Sequence, residues 1–271
     1  MLKTIRIFLL RHNYLRAKFK ILFFIFKNPF AKRGYHRVFK GRCLVCGRDT
    51  SFWDFGQNSE TFFCLHCGSN ARSRVIAKVL LLENKSQTPA TNLLNFNKDS
   101  LLCGYIASGY GMLANALNQR NFIVSEYFDK TQPGSFQNGI RCEDLTKLTF
   151  PDEIFDIVIT EHILEHVPDP MRAFCEVNRV LKKKGLFIFT IPFEVRGHSV
   201  TRILPDGSKI LPELFHIDPL RTAGALVYTQ FSKDDLIQKF LKPNGFEAEI
   251  ITLNDITAGI NNCEVIRARK V

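Results

Sequence analysis

From about residue 93 to residue 271, short apolar segments alternate with amphipathic segments, and this alternation constrains the fold more than any other feature of the sequence. The segment 155–160 is almost entirely apolar, 170–181 has the spacing of an amphipathic helix, and 186–191 is apolar again. Apolar strands that alternate with helices are typical of a parallel sheet that helices cover on both faces. The sequence therefore predicts an α/β fold.

The pattern predicts seven strands, most of them parallel to their neighbours. The strands are predicted at 101–107, 122–127, 140–142, 155–160, 186–191, 247–252 and 263–269. The helices between them are predicted at 111–119, 170–181 and 233–241. A long insertion, 193–230, follows the fifth strand and is the segment that the alternation does not explain.

Three shorter segments precede this region, so we divide the chain into four parts. Residues 1–42 form a basic amphipathic arm, 43–68 a cysteine-rich segment, and 69–92 a helical stretch with a polar linker. The predicted α/β domain, including its insertion, occupies 93–271.

The net charge of +11 is concentrated in the arm. Residues 1–42 contain twelve Lys or Arg and no Asp or Glu, which leaves 25 basic and 26 acidic residues in the remaining 229. Nucleic-acid binding along the body would need a basic excess there to neutralise phosphates. The body therefore argues against that class of protein, whereas the arm alone can meet an anionic surface.

The arm has two apolar runs, 7–10 and 21–26, and both are too short to span a bilayer. Arg11 and His12 end the first run, and no cleavage site of small residues follows, so a signal peptide is not indicated. Interleaved basic and large apolar residues suit a helix on an anionic membrane surface. A helix that packs on the body and an RNA-binding segment are the alternatives. We expect a cytoplasmic protein, with the inner membrane surface as the candidate contact.

Four of the eight cysteines form two C-x-x-C pairs that are separated by seventeen residues, namely Cys43, Cys46, Cys64 and Cys67. Each pair places two thiolates on one side of a tight turn, and two pairs complete a tetrahedral Zn²⁺ site. Because no ligand position is left for water or substrate, we expect a small zinc ribbon with a structural role. Two disulfides are the alternative, which the reducing conditions of the cytoplasm disfavour.

In an open parallel sheet, ligands bind beyond the carboxyl ends of the strands. Gly109 and Gly111 follow the first predicted strand, where they permit close approach of the backbone to a ligand. Glu126 ends the second strand and Asp144 follows the third, and these carboxylates suit ribose hydroxyls and an exocyclic amine. After the fourth strand, acidic and histidine side chains crowd into the turn 161–166.

The segment 141–192 resembles class I S-adenosylmethionine-dependent methyltransferases. The resemblance rests on F-P-D-E-I-F-D-I-V, then L-E-H-V-P-D-P, then R-V-L-K-K-K-G, and it extends more weakly over 101–271. A cysteine-rich ribbon that ends in C-G-S-N-A-R-S-R before such a domain is similar to a subset of that family. The resemblance implies a Rossmann-like, seven-stranded, mostly parallel sheet with helices on both faces, and S-adenosyl-L-methionine as the cofactor.

The resemblance also implies roles for single residues. The segment from Ala107 to Gly111 would contact the methionine part, Glu126 the ribose, and Asp144 with Leu145 the adenine. Thr160, Glu161 and His162 would line the methyl-transfer side. The implied cofactor-binding residues are Ala107, Gly109, Gly111, Glu126, Asp144, Leu145, Thr160 and Glu161. The alternatives are a solvated strand end for Glu126 and a turn cap for Asp144.

Two positions depart from the family pattern. Tyr105 stands where the family has an acid that helps to hold the methionine ammonium, and Ala107 stands where it has a glycine. Weaker cofactor binding or a catalytically inactive relative would follow from these two changes.

The candidate base lies in the insertion, within P-E-L-F-H-I-D-P. His216 with Asp218 two residues later suits a base that a carboxylate orients, and His162 is the second candidate. The alternative is that His216 only forms a hydrogen bond within its loop. Glu165 and His166 are expected to brace the turn before the following helix.

Three functions are therefore open. The first is O-methylation of a small-molecule or glycan acceptor near the inner membrane face. The second is RNA methylation, since zinc ribbons also precede enzymes that modify ribosomal RNA. The third is a non-catalytic binding protein with a degenerate cofactor pocket, which Tyr105 and Ala107 suggest.

Overall fold

A computed structural model describes residues 37–56, 60, 62–83, 91–99, 102–109, 111–118, 121–216, 218 and 221–271. The expectations for the arm concern mainly residues 1–36, which lie outside the described residues.

The described residues form sixteen strands and four α-helices. The strands are β1 Arg37–Arg42, β2 Asp49–Asp54, β3 Phe62–Cys64, β4 Gly104–Ile106, β5 Phe122–Glu126, β6 Phe136–Gln137, β7 Ile140–Cys142, β8 Phe155–Glu161, β9 Leu181–Thr190, β10 Phe193–Val195, β11 Val200–Thr201, β12 Phe215–His216, β13 Ala225–Leu226, β14 Thr229–Ser232, β15 Phe246–Asp255 and β16 Ile260–Lys270. The helices are α1 Ala71–Leu82, α2 Leu93–Asp99, α3 Met112–Leu117 and α4 Pro170–Val180.

The chain divides into two compact units. The first comprises the described parts of Met1–Leu101 with Tyr110–Asn121 and Ile251–Val265, and the second comprises Leu102–Gly109, Phe122–Ile250 and Ile266–Val271. The first unit contains the cysteine-rich segment, so we call it the ribbon unit, and it is built from three separate stretches of chain.

The largest sheet among the described residues has eight strands in the order β15-β16-β9-β8-β4-β5-β7-β6, and all of them except parts of β15 and β16 belong to the second unit. The five central strands, from β9 to β7, are parallel, whereas β16 pairs antiparallel with β9 and β6 pairs antiparallel with β7. The prediction of a mostly parallel α/β sheet is therefore confirmed. The sheet has one strand more than predicted because the two-residue β6 folds back on β7, a pairing too short to leave a periodic pattern in the sequence.

Aromatic side chains fill the core of the second unit. Phe174 of α4 packs edge-on against Phe187 and Phe189 of β9, at ring-centroid distances of 6.2 and 5.8 Å. All three rings are fully buried. Burial of each such side chain contributes about 1.5–3 kcal/mol, so this contact ties helix to sheet.

The cysteine-rich segment of the first unit forms a three-stranded antiparallel sheet, β1-β2-β3. Both C-x-x-C turns have the same local form, in which the amide of the following glycine donates to the carbonyl of the first cysteine at 2.8 Å. Gly47 and Gly68 have φ of 71° and 76°, a conformation that glycine adopts without steric cost. These local features explain why the segment forms turns of identical shape around the cysteines.

The insertion 193–230 is ordered into short strands rather than a loop. β14 pairs with β10 and β11, and β12 pairs with β13 as a hairpin. The amide of Tyr228 donates to the carbonyl of Glu165 at 2.8 Å, so the insertion is joined to the turn that follows β8.

Two predicted elements differ from those observed. The helix expected at 233–241 is a π-helical segment, Ile237–Leu241, followed by a 3-10 turn, Lys242–Asn244. Pro243 lacks an amide proton and prevents regular helical bonding there. Helix α2 precedes the first predicted strand, in a stretch for which no element was predicted, and the side chain of Asn92 caps it by accepting from the Asn95 amide at 3.1 Å.

Candidate functional site

The carboxyl ends of the central strands lie at one edge of the sheet. In the parallel register, Ile106 of β4 pairs with Val124 of β5 and with Ile159 of β8. The residues that follow these three positions therefore emerge side by side. This arrangement gathers most of the residues that the sequence analysis singled out.

Gly109 approaches the end of β5 closely. Its amide donates to Oε2 of Glu126 at 3.3 Å. A Cβ atom at this position would lie 2.9 Å from Cγ2 of Ile140 and 3.2 Å from Cβ of Glu126, so a larger residue does not fit without displacement. Gly111 lies in the first unit as the residue before α3, with φ of −76°, which any residue adopts.

The Glu126 carboxyl group lies in a poorly solvated position. Burial raises its pKa to about 7, an effect that hydrogen bonds from the Tyr127 and Gly109 amides partly oppose. A half-buried carboxylate whose remaining lone pairs can accept from hydroxyl groups suits recognition of a ribose diol.

Asp144 lies next to Glu126 at the same edge. Glu126 pairs with Cys142, and the amide of Glu143 donates to the carbonyl of Glu126 at 3.2 Å. Oδ1 of Asp144 accepts from the amide and the hydroxyl of Thr146, at 2.8 and 2.7 Å. The turn-cap alternative therefore describes this oxygen, while contact of Asp144 and the buried Leu145 with adenine stays a prediction.

The end of β8 lies beside the end of β4. The amide of Ala107 donates to the carbonyl of Ile159 at 3.1 Å, and the following residues, Thr160 and Glu161, are buried. His162 has φ of 52°, which is uncommon for a residue with a side chain, and its amide donates to the carbonyl of Thr190 at 3.0 Å. The backbone therefore turns sharply at His162, as residues at functional turns often do.

Tyr105 occupies the position where the family pattern has an acid, and it belongs to the core. Its ring is fully buried and stacks on Phe155 at 5.5 Å, and its hydroxyl lies 2.8 Å from Oγ of Ser125. Burial raises the pKa of the phenol well above its ordinary value, so the residue stays neutral. Tyr105 therefore supplies packing and not a charge.

Glu165, His166 and His216 meet at the junction of the β8 turn and the insertion, and we call these three residues the Glu-His-His corner. Nε2 of His166 and Nδ1 of His216 lie 3.7 and 4.0 Å from Oε1 of Glu165. The two rings are nearly perpendicular, with centroids 5.0 Å apart. The turn thus reaches the insertion through side chains as well as through the backbone.

In each histidine ring, the nitrogen farther from Glu165 has a hydrogen-bond partner. Nδ1 of His166 lies 2.8 Å from the carbonyl oxygen of Leu226, which confirms the expected bracing role of this residue. Nε2 of His216 lies 2.9 Å from Oε1 of Glu194. Burial lowers the pKa of His166 to about 4, so its ring is neutral near pH 7.

The structure gives His216 a different carboxylate partner from the predicted Asp218, because Nε2 of His216 lies 2.9 Å from Oε1 of Glu194. Asp218 instead accepts from the amide and the guanidinium of Arg221, at 2.7 and 2.9 Å. Glu194, which lies 22 residues before His216, takes the place of the orienting carboxylate. Spacing in the sequence does not predict this contact, because Glu194 of β10 and His216 of β12 belong to different sheets and meet through tertiary packing.

The four cysteines of the two C-x-x-C turns converge in the first unit. Their sulfur atoms all lie within 4.8 Å of one another, and those of Cys43 and Cys67 are 3.8 Å apart. Zinc–sulfur bonds of 2.3 Å in a tetrahedron require sulfur–sulfur distances of about 3.8 Å. None of the eight cysteines, all of which are described, forms a disulfide. The cluster therefore fits a tetrahedral zinc ion.

Arg74 provides a second test of that fit. This side chain is fully buried, and it donates to the carbonyl oxygens of Ser69, Phe62 and Gly259. It also donates to the hydroxyl of Ser69, which lies 3.5 and 3.3 Å from the sulfurs of Cys43 and Cys67. A zinc ion with four thiolates has a net charge of −2, so the buried guanidinium would balance part of that charge.

Sequence reasoning did not find Arg74 or Glu194. Arg74 lies seven residues after the last cysteine, inside the motif S-N-A-R-S-R, and a basic residue just beyond a cysteine pair is a signal that could have drawn attention. Glu194 gives no such signal because its partner is distant in sequence.

Comparison with known proteins agrees with the arrangement of the sheet. Residues 106–189 match the family model described as "Methyltransferase domain". The chain is 30% identical over 131 residues to a glycine/sarcosine/dimethylglycine N-methyltransferase of Actinopolyspora halophila, covering 44% of this chain and 21% of that protein. It is 27% identical over 130 residues to a ubiquinone biosynthesis O-methyltransferase of Coxiella burnetii, covering 41% of this chain and 56% of that protein.

Solved structures give a weaker likeness. The Burkholderia thailandensis 1,6-didemethyltoxoflavin-N1-methyltransferase, solved with its substrate and S-adenosylhomocysteine, has 17% identity and a TM-score of 0.42 over 74% of this chain and 78% of that one. The family match covers the central part of the chain, which contains the parallel strands β5, β7 and β8 and most of β9. The chain spans 21% and 56% of the two curated relatives named above.

Among the described residues, no helix has the length and apolar character needed to cross a membrane.

Proposed function

We propose that the protein is an S-adenosyl-L-methionine-dependent methyltransferase that methylates a hydroxyl group of a small-molecule or glycan acceptor. The observation that carries the proposal is the contact of the Gly109 amide with Glu126, at the sheet edge within the methyltransferase match. Ligands of open parallel sheets bind at this edge.

In this proposal the cofactor lies along the carboxyl ends of β4, β5 and β7. Ala107 and Gly109 border its methionine part, Glu126 accepts from the ribose hydroxyls, and Asp144 with Leu145 borders the adenine. Oδ1 of Asp144 caps the turn, so Oδ2 would make this contact. Thr160, Glu161 and His162 border the methyl group, so that donor and acceptor are aligned for transfer.

A hydroxyl acceptor must lose its proton as the methyl group is transferred. His216 is the first candidate base, and Glu194 orients its ring in place of Asp218. His162 is the second candidate because of its position at the end of β8. An amine acceptor would need no base, and this distinction separates O-methylation from N-methylation in an assay.

The zinc ribbon is proposed as a structural element. Cys43, Cys46, Cys64 and Cys67 would hold one Zn²⁺, and the ion would supply the cross-link that the small β1-β2-β3 sheet lacks. The four-part division of the chain at residues 42, 68 and 92 and the location in the cytoplasm belong to this proposal. Vesicle co-sedimentation that is lost on deletion of residues 1–30 would support contact of the arm with the inner membrane surface.

Titration calorimetry with S-adenosylmethionine tests the cofactor site. Asp144→Asn keeps an oxygen that can cap the turn but removes the charge, and we expect it to weaken binding about tenfold. Asp129→Asn, at an exposed position past β5, is the matched control and should bind as the wild type does. Equal affinity of the Asp144 variant would remove this residue from the site, and no binding by the wild type would favour the non-catalytic alternative.

A further inference from the structure

In the Glu-His-His corner, the hydrogen bonds of the two histidine rings have a pattern that the proposed methyl transfer does not explain. A carbonyl oxygen can only accept a hydrogen bond, so Nδ1 of His166 donates to Leu226 and Nε2 of the neutral ring presents its lone pair. That lone pair lies on the atom 3.7 Å from Oε1 of Glu165.

In His216 it is Nε2 that forms the outer hydrogen bond, and Nδ1 is the nitrogen nearer to Glu165. This Nε2 lies 2.9 Å from the carboxylate of Glu194, which accepts, so in the neutral ring Nε2 donates and Nδ1 keeps the lone pair. Nδ1 lies 4.0 Å from the same Oε1 of Glu165. Nε2 of His166, Nδ1 of His216 and a buried carboxylate oxygen of Glu165 therefore lie within 4.8 Å of one another, an arrangement that a cation between them would stabilise.

The surroundings are those of a metal site. A histidine that binds a metal commonly donates a hydrogen bond from its other ring nitrogen to a backbone carbonyl or a carboxylate, and this bond sets the tautomer. Here His166 has a carbonyl as that partner and His216 has a carboxylate. Ligand atoms around an ion at about 2.1 Å are roughly 3.4 Å apart. The three atoms lie within 4.8 Å of one another, so side-chain shifts of up to about 1 Å would bring them into contact with an ion. The charged groups facing His166 from the insertion, Asp218 and Arg221, pair with each other at 2.9 Å.

We propose that Glu165, His166 and His216 bind one divalent first-row transition cation. Two imidazoles and one carboxylate suit Zn²⁺, Co²⁺ or Fe²⁺ and leave a coordination position for another ligand. A cation here makes Nδ1 of His216 a ligand instead of a base. If the proposed function holds, the metal would lower the pKa of an acceptor hydroxyl in the open position, and the hydroxyl would release its proton to solvent water.

Cobalt titration of the full-length chain, with zinc already in the cysteine cluster, tests the site without any assay of activity. We expect one further equivalent of Co²⁺, seen by metal analysis after equilibrium dialysis and by visible absorption without thiolate-to-cobalt charge transfer. His166→Ala, His216→Ala and Glu165→Gln should each weaken binding at least tenfold. Glu194→Gln should weaken it about tenfold through the orientation of His216.

His198→Ala is the matched control. This histidine belongs to the same insertion, and its side chain is 93% exposed, so cobalt affinity should be unchanged. The proposal is overturned if no cobalt binds beyond the zinc, if cobalt appears only with thiolate charge-transfer absorption, or if the three ligand variants bind as the wild type does. Calorimetry with S-adenosylmethionine on the same samples separates this result from a failure of the proposed function.

Discussion

The buried charge of Arg74 is best explained by the negative charge of a zinc-bound cysteine cluster beside it. Its guanidinium is fully buried, lies 4.7 Å from the ring centroid of Phe52 and is bonded to carbonyl oxygens. Burial lowers the pKa of this guanidinium, and the sulfurs of Cys43 and its neighbours oppose that effect. The residue therefore links the charge of the cysteine cluster to the chain at Gly259.

Replacement of Arg74 tests this link. We expect Arg74→Met to lower the free energy of unfolding by about 3–5 kcal/mol, because it leaves the carbonyl oxygens of Phe62 and Gly259 without their donor and the cluster without its counter-charge. Urea denaturation of the zinc-loaded chain measures the change, and a chelator competition measures zinc affinity. Lys40→Met removes the same charge from an exposed strand position and should change stability by less than about 0.5 kcal/mol. Equal effects of the two variants would contradict the link.

The raised pKa of Glu126 predicts how the stability of the chain depends on pH. Its carboxyl pKa is about 7 in the folded chain against an ordinary value of 4.5, because burial disfavours the charge. The unfolded chain therefore loses this proton first, and the stability contributed by the group declines as the pH rises from about 4.5 to about 7. Glu126→Gln does not titrate, so we expect its stability relative to wild type to increase over that interval and to level off above it.

Urea denaturation at several pH values without cofactor checks the prediction, and Asp129→Asn is the exposed control. A difference between Glu126→Gln and wild type that stays constant from pH 4 to pH 8 would show that the Glu126 carboxyl is well solvated.

At the scale of elements, the turns after the strands carry the site, and the strands align them. The parallel register of β4, β5 and β8 brings Ala107, Glu126 and Thr160 to one edge, although they are far apart in sequence. Two hydrogen bonds join the turn after β8 to the insertion. The amide of Tyr228 donates to the carbonyl of Glu165, and the ring of His166 donates to the carbonyl of Leu226. A segment that resembles a long loop in sequence is thus an ordered support for the site.

At the scale of the whole molecule, the ribbon unit is closed by the C-terminal part of the chain. Gly259 accepts from Arg74, and Lys78 of α1 pairs with Asp255 at 3.1 Å, so residues more than 170 positions apart form one unit. A Cβ on Gly41 would lie 1.9 Å from the carbonyl oxygen of Thr257, which shows how closely the two stretches approach. The ribbon is therefore part of a larger unit rather than a separate appendage.

Removal of zinc should affect this unit first. We expect a strong chelator to abolish hydrogen-exchange protection in β1, β2 and α1, because four thiolates without a cation repel one another and Arg74 loses its counter-charge. Peptides from β8 and β9 are the internal control and should keep their protection. Unchanged exchange in the ribbon after zinc has been removed would contradict a structural role for the metal.

The sequence by itself determined the features that depend on local spacing. The alternation of apolar strands and helices predicted the parallel sheet, and the spacing of Cys43, Cys46, Cys64 and Cys67 predicted the cluster, because both patterns lie within short stretches of chain. The positions of Glu126 and Asp144 at strand ends followed from the same periodicity.

Only the tertiary structure decided the pairings between distant segments. It paired His216 with Glu194 instead of Asp218, joined Arg74 to Gly259, and brought Glu165, His166 and His216 to one point. These contacts depend on how hairpins and strands of separate segments come together. Local propensity and spacing carry no information about such pairings, since each partner is chosen by the packing of the whole unit.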